Sequence, residues 1–201
     1  MAHSLRDTAS LTPSSALVDN DLTYGTVTRV LHWGMALLFA WQFVGMTLKL
    51  VLGRTPLVGV FTGTHASVGT ILMALAIPRA LWGISNLARR PPHGTGFVAL
   101  AARLGHLGLY ALMLIVPLLA LLRAYGSGRG VAVFGLPVLP GAPEKVQWMV
   151  DAGHAAHGLL AWTLLALVAG HVGMVIVHRY IWKDDVLHRM AGRRADAFSA
   201  K

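Results

Sequence analysis

The chain has 201 residues, of which 55% are hydrophobic and 12% are charged, and its mean hydropathy is +0.61. Soluble domains carry about 25% charged residues, so this chain lacks the polar surface that a water-soluble protein of its size needs. The composition therefore argues against a soluble enzyme, a disordered chain and a nucleic-acid-binding protein. The net charge of +9 suits anionic lipid head groups better, because the basic residues lie between long apolar runs. The absence of cysteine excludes disulfides, iron–sulfur clusters and thiolate-held zinc.

Four apolar stretches organise the sequence, and each is near the ~20 residues that a helix needs to cross a bilayer. They run approximately over Val30–Leu52, Thr64–Ile84, Leu104–Leu122 and Ala155–Trp182. We therefore predict an all-α protein, a transmembrane four-helix bundle. The predicted parts are a polar N-terminal tail, a membrane domain and a basic C-terminal tail, over residues 1–26, 27–192 and 193–201.

Lysine and arginine are distributed unevenly over the segments that flank these stretches. Most of them lie in the N-terminal tail, the second connection and the C-terminal segment, whereas the first and third connections contain only Arg54, Arg129 and Lys145. By the positive-inside rule, both termini are predicted to be cytoplasmic.

Histidine recurs inside the predicted helices, where an ionisable side chain is costly and indicates function. His157 and His171 are 14 residues apart on the fourth helix, so they share nearly one face and lie about 21 Å apart along the axis. His65 enters the membrane from the same side as His157, and His32 from the same side as His171. Two His–His pairs at two depths of a four-helix bundle suit two six-coordinate b haems.

Other interpretations compete with haem ligation. A single histidine in a helix is more often a hydrogen-bonded core residue than a ligand, although four at matched depths are harder to explain in this way. Zinc needs ligands within about 2.1 Å of one point, which the spacing of His157 and His171 forbids for the two together. A proton relay would want acidic partners, and the four apolar stretches contain no Asp or Glu. A cofactor-free membrane scaffold is a further alternative.

Three more residues bear on the predicted haem sites. Arg79 lies deep in the second helix, where it would either bind a haem propionate or extend its side chain to the interface. His154 precedes His157 by three residues and is a second candidate ligand at that level. His106, near the start of the third helix, has no role assigned from its position alone.

These residues resemble the bacterial cytochrome b561 family of four-helix, di-haem inner-membrane proteins, over about Tyr24 to Gly192. The resembling motifs follow the order of the family: Arg29–Trp33, His65–Gly69 with Arg79 and Trp82, Ala102–His106 with Tyr110 and Pro117, Phe134–Leu136, and His157, His171, His178 and Lys183–Met190. One departure is Arg179, which stands where the family often has a second histidine.

The resemblance implies two haems b per chain in the bacterial inner membrane. His32 and His171 would ligate the cytoplasmic-side iron, and His65 and His157 the exterior-side iron. The implied function is electron transfer to or from the quinone pool, as in a superoxide oxidase that reduces ubiquinone. The alternative is a cytochrome subunit that anchors a hydrogenase, a dehydrogenase or a periplasmic redox partner.

A quinone has to reach a haem from within the bilayer and exchange protons with water. The end of the fourth helix offers His178, Trp182 and Lys183 within two turns. Because His178 follows His171 by seven residues, it lies on nearly the same face, about 10.5 Å further along. We predict the quinone site here. The simpler interpretation is that Trp182 is an ordinary interfacial tryptophan and that Lys183 is an ordinary positive-inside lysine.

Superoxide is a small anion, so an exterior site for it should be electropositive. The exterior cations are Lys49, Arg54, Arg129 and Lys145. They either attract the anion or are ordinary solvated charges.

Overall fold

The computed structural model describes residues 17–20, 23–89, 96–184 and 186–191. Four long helices dominate this part of the chain: α1 Thr26–Leu52, α2 Pro56–Ser85, α3 Gly96–Gly126 and α4 Gln147–Val177. Each is long and apolar enough to cross a membrane, with α4 counted together with its continuation to Trp182. The predicted all-α, four-helix architecture is confirmed.

All four helices begin before the apolar stretches that predicted them. For α1 and α2 the reason is local capping, which starts the helix earlier than hydropathy indicates. The buried carboxylate of Asp19 accepts hydrogen bonds from the Gly25 N–H at 2.8 Å and the Thr28 hydroxyl at 2.6 Å, and α1 starts between them. In α2, the Val58 N–H donates to the Thr55 hydroxyl at 3.3 Å, and Pro56 occupies the first helical position.

We call the end of the bundle where α1 begins and α4 terminates the tail side, and the opposite end, which carries the connection between α3 and α4, the loop side. A short helix, α5 (Val186–Ala191), packs on α1 at the tail side. The Tyr24 N–H donates to the Arg189 carbonyl, and the Trp33 indole N–H donates to the Met190 carbonyl, both at 3.3 Å. The described part of the predicted polar tail therefore packs on the bundle. Residues 1–16 and the tail predicted at 193–201 lie outside the described residues.

The connection between α3 and α4 contains two short antiparallel strands, β1 (Val131–Val133) and β2 (Leu136–Leu139). The sequence pattern does not predict them, because strands of three and four residues are too short to show an alternating pattern. Phe134 and Gly135 form the turn with φ of 48° and 88°, the left-handed values that a two-residue hairpin turn requires. The Phe134 N–H donates to the Ser67 hydroxyl at 2.9 Å, which ties the hairpin to α2.

Helix α1 packs on α2, α2 on α3 and α3 on α4. The buried core lies between α1 and α2 and contains Met35, Val68, Leu72 and Ala76. The outer surface is strongly apolar: Leu37 is 72% exposed, and Leu159 is 70% exposed. Side chains of this kind are stable on the outside because they face lipid rather than water.

Helix α4 does not end with a regular α-helical turn. Residues His178–Trp182 form a π-helical turn, and Lys183 then adopts a left-handed conformation with φ 54°. The Asp184 N–H donates to the His178 carbonyl at 3.0 Å, which closes this widened turn. Single π-helical turns occur frequently at functional sites.

Candidate haem-binding sites

The loop-side site is built by α2 and α4, which bring His65 and His157 together. The centres of the two imidazole rings are 6.2 Å apart, and the ring planes are 83° to each other. The Nδ1 atom of His157 lies 2.9 Å from the Val116 carbonyl of α3, to which it can only donate. This bond places the proton on Nδ1 and leaves the Nε2 lone pair for a metal, as is usual for ligating histidines.

A cavity of about 640 Å³ surrounds this pair. Gln42 of α1 forms part of its wall and donates through Nε2 to the His65 carbonyl at 3.0 Å. Within the described part of the chain, His65 Nδ1 and Gln42 Oε1 are buried and have no hydrogen-bond partner. Gly158 also lines the cavity, and a Cβ atom built there would meet no other atom within 4 Å. The cavity therefore has the size of a cofactor site and the open backbone that a flat macrocycle needs.

The tail-side site is built by α1, α3 and α4. His32 and His171 have ring centres 6.2 Å apart, with planes at 63°. His106 of α3 adds a third imidazole, whose ring centre is 5.3 Å from that of His171. Its Nδ1 lies 2.6 Å from the Ala102 carbonyl, so this third ring is tied to its own helix. The sequence pattern pairs His32 with His171 and does not place His106 beside them.

The separations within both pairs can be compared with those required by a shared metal ion. An imidazole nitrogen lies about 2 Å from the metal it ligates, and the ring centre lies about 1 Å further away. Two rings on opposite sides of one iron therefore have centres about 6 Å apart. Both pairs show 6.2 Å, so both fit two axial ligands of one haem. The angles between the ring planes do not conflict with this, because each ring can rotate about its iron–nitrogen bond.

Arg79 of α2 approaches the tail-side pair. Its Nη2 lies 3.0 Å from His32 Nδ1, and its guanidinium carbon lies 5.8 Å from the centre of the Tyr110 ring. Because arginine only donates, this contact requires an unprotonated Nδ1 and places the ring proton on Nε2. Ligation of iron through Nε2 would move that proton to Nδ1 and release Arg79 from His32. The residues thus fit a haem here if Arg79 turns to another acceptor, and a propionate carboxylate is a suitable one.

The zinc alternative requires three or more ligands around one point. Over the ranges that the structure describes, no group of three or more His, Cys, Asp or Glu side chains could hold a metal ion together. The three tail-side imidazoles are thus not arranged as a zinc site. A haem held by the two histidines of each pair would account for the pairs without a third ligand.

The other sequence candidates lie outside the two pairs. His154 is exposed and is not among the residues that line the loop-side cavity. His178 binds Asp184, with Nδ1 2.5 Å from Oδ2, and the Trp182 ring lies edge-on at 4.6 Å. Lys183 is exposed next to them. The three predicted quinone-site residues thus lie together at the end of α4, and Asp184 is a partner of His178 that the sequence pattern does not predict.

The loop-side cavity also carries positive charge. Its lining includes Lys49 at the end of α1, Arg123 at the end of α3 and Arg129 before β1. Of the exterior cations named from the sequence, Lys49 and Arg129 line the cavity, whereas Arg54 and Lys145 do not. Arg123 is not predicted from the sequence, because it falls between the apolar stretch of the third helix and the connection that follows.

Comparisons with known proteins agree with this architecture. A family model described as "Prokaryotic cytochrome b561" matches residues 23–193. "Cytochrome b561 homolog 2" of Escherichia coli (strain K12) is 30% identical over 183 residues, which cover 87% of this chain and 94% of that protein. "Cytochrome b561 homolog 1" of the same organism is 26% identical over 172 residues, covering 82% of this chain and 94% of that protein.

A further relative carries a name that describes an activity. "Probable superoxide oxidase CybB" of Yersinia pestis is 27% identical over 135 residues, which cover 65% of this chain and 74% of that protein. The family match extends from just before α1 to just beyond α5, so it includes all four long helices and both histidine pairs. This chain therefore belongs to the prokaryotic cytochrome b561 family, whose members are multi-pass membrane proteins with b-type haem.

Proposed function

We propose that this protein transfers electrons across the membrane through two b haems, one held by His65 and His157 and the other by His32 and His171. The observation that carries the proposal is the separation of 6.2 Å between ring centres in both pairs. The pairs are joined by α4, on which His157 and His171 are about 21 Å apart, most of the ~30 Å thickness of the hydrocarbon layer.

The chain's own residues hold and orient the cofactors, and the haems supply one-electron oxidation and reduction when bound. The Val116 carbonyl fixes the tautomer of His157. Gln42 anchors the backbone of α2 at His65 through its carbonyl. At the tail side, Arg79, which contacts His32, would bind a haem propionate and neutralise its charge.

The proposed orientation places the tail side in the cytoplasm. Most of the Lys and Arg residues outside the long helices lie in the segments at that side. This orientation can be tested with a fluorescent protein that folds only in the cytoplasm. It is fused to the C-terminus in one variant and inserted in the loop after β2 in another. Fluorescence from the C-terminal fusion alone is expected, and fluorescence from the loop fusion alone would reverse the orientation.

We propose superoxide as the electron donor and ubiquinone as the acceptor. Two superoxide ions each lose one electron and leave as O₂, while one ubiquinone takes up two electrons and two protons to become ubiquinol. The name of the Yersinia pestis relative supports this reaction, as do the three cations that line the loop-side cavity. A cationic wall attracts a small anion and raises its local concentration.

The ubiquinone site is proposed at the end of α4, around His178, Trp182 and Lys183. His178 and Asp184 form a hydrogen-bonded pair at 2.5 Å, in which a proton can move between ring and carboxylate. Trp182 is 46% exposed and lies at the lipid-facing surface, where a quinone ring would arrive. Lys183 adds a donor for a quinone carbonyl.

Purified protein tests both parts of the proposal. The wild-type protein is expected to contain two haems per chain and to reduce ubiquinone in a superoxide-dependent reaction. The His178→Phe and Lys183→Leu variants are expected to keep both haems but to lose quinone reduction. Trp148→Phe, an exposed residue at the loop side, serves as a control that keeps quinone reduction. Full quinone activity in both tail-side variants would place the quinone site elsewhere.

A subunit role is the second candidate, favoured by one observation. The hairpin beside the loop-side pair exposes Phe134, Leu136 and Val138, which are 63%, 72% and 55% exposed. A hydrogenase, a dehydrogenase or a periplasmic redox protein could cover this apolar face. Lack of superoxide-driven turnover by the isolated chain, combined with rapid haem reduction by an added partner, would favour this second function.

A further inference from the structure

A cleft of about 270 Å³ lies at the tail side, and no histidine of either pair is among the residues that line it. Its walls are the first two turns of α1 and the end of α5, and the residues that line it are Thr26, Arg29, Val30, Trp33, Met190 and Ala191. Two hydrogen bonds hold the walls in place: Trp33 donates to the Met190 carbonyl, and the Tyr24 N–H donates to the Arg189 carbonyl. The cleft is therefore a fixed feature of the bundle end.

Arg29 supplies the charge of this cleft. Its Nη2 donates to the Thr26 hydroxyl at 3.0 Å, which holds the guanidinium in place. Its Nε is buried and has no hydrogen-bond partner among the described residues. A buried N–H without an acceptor is rare and costly, so the protein itself does not fully satisfy the guanidinium of Arg29, which lines the cleft. Arginine stays charged in proteins, and its planar set of donors matches the oxygens of a phosphate.

Apart from Arg29 and Thr26, the residues that line the cleft are apolar. Val30 is 65% exposed, and Trp33 is 45% exposed. Arg29 lies in the first turn of α1, at the depth where the helix enters the membrane, and tryptophan is a typical residue of that interface. A ligand at this position would thus place an anionic group on Arg29 and a hydrocarbon part along Val30 and Trp33.

We propose that this cleft binds the phosphate of an anionic phospholipid, whose acyl chains lie along the outer face of α1. The apolar wall favours a lipid over free phosphate, because a soluble anion would gain nothing from Val30 and Trp33. Basic pockets between membrane helices are known to bind acidic lipid head groups. The bound lipid would bridge α1 and α5.

Native mass spectrometry of the detergent-solubilised holoprotein tests this proposal, with phosphatidylglycerol and phosphatidylcholine as probes. Wild type is expected to retain one phosphatidylglycerol at least tenfold more strongly than phosphatidylcholine. Arg29→Gln should lose this preference. Arg89→Gln removes the same charge from an exposed residue at the same side and should keep it. Equal retention by the two variants would overturn the proposal.

Two further arms keep the test decisive. Ala191→Trp fills the cleft and leaves the Arg29 charge in the sequence, so it should also release the lipid, and retention would show that the lipid binds elsewhere. Displacement of phosphatidylglycerol by millimolar inorganic phosphate would identify a soluble-anion site and overturn the lipid assignment. Haem absorbance of each variant confirms that the bundle is folded.

Discussion

At the scale of single residues, the loop-side site distinguishes two histidines that lie one helical turn apart. His157 faces His65 and is oriented by the Val116 carbonyl, whereas His154 is exposed. We expect His157→Ala to lower the haem content from two to about one per chain, and His154→Ala to leave it unchanged. Pyridine haemochrome analysis of both variants measures the difference. Loss of haem in His154→Ala alone would show that the helix is rotated from this orientation.

The tail-side site poses a similar choice between His32 and His106, since both rings lie near His171. His32 has the separation of 6.2 Å that fits a shared iron, and His106 is closer, at 5.3 Å, with Nδ1 tied to the Ala102 carbonyl. We expect His32→Ala and His171→Ala each to remove the tail-side haem, while His106→Ala retains it. A reduced-minus-oxidised spectrum checks this. Haem loss in His106→Ala with retention in His32→Ala would make His106 the ligand.

At the scale of elements, the contact between α3 and α4 depends on the absence of a side chain at Gly153. A Cβ atom at Gly153 would lie 2.5 Å from the Arg123 Cβ and 2.7 Å from the Leu119 carbonyl oxygen. We expect Gly153→Val to destabilise the bundle by ~1–3 kcal/mol, because overpacking forces the helices apart. Thermal unfolding in detergent, followed by circular dichroism, measures the loss. Gly59→Val, where nothing lies within 4 Å, should be nearly neutral.

Another glycine of α4 tests whether the loop-side cavity belongs to the cofactor. Gly158 lines the cavity, and its missing Cβ would contact no protein atom within 4 Å. Gly158→Phe is therefore tolerated by the helices but competes with a macrocycle for the same space. We expect the variant to remain folded and to lose the loop-side haem, whereas Gly59→Phe keeps both haems. Full haem content in Gly158→Phe would show that the cavity is not the cofactor's site.

At the scale of the whole molecule, the loop-side cations differ in their position relative to the cavity. Lys49 and Arg129 line the cavity around His65 and His157, whereas Arg54 and Lys145 do not. If the cavity attracts superoxide, Lys49→Gln combined with Arg129→Gln should lower the superoxide reaction rate several-fold at low salt and flatten its salt dependence. Arg54→Gln combined with Lys145→Gln is the matched control. Equal rates in the two double variants would remove steering from the mechanism.

Much of this protein was predictable from its sequence because the relevant signals are local. Hydropathy over ~20 residues identifies membrane helices wherever they occur. The regular rise of an α-helix converts the spacing of His157 and His171 into two depths. With four helices alternating in direction, His65 and His32 follow at the same two depths, so two histidine sites, one at each depth, were predicted before any packing was known.

The tertiary structure decided what depends on contacts between elements. Sequence depth alone does not rank His32 against His106, because both enter from the tail side and only helix packing sets their distances to His171. Three further features join residues more than 20 positions apart in the sequence. They are the Arg79–His32 contact, the cavity wall to which Gln42 and Arg123 contribute, and the hydrogen bond between Phe134 and Ser67. No local pattern encodes such contacts, since they arise from how the side chains of neighbouring helices fit together.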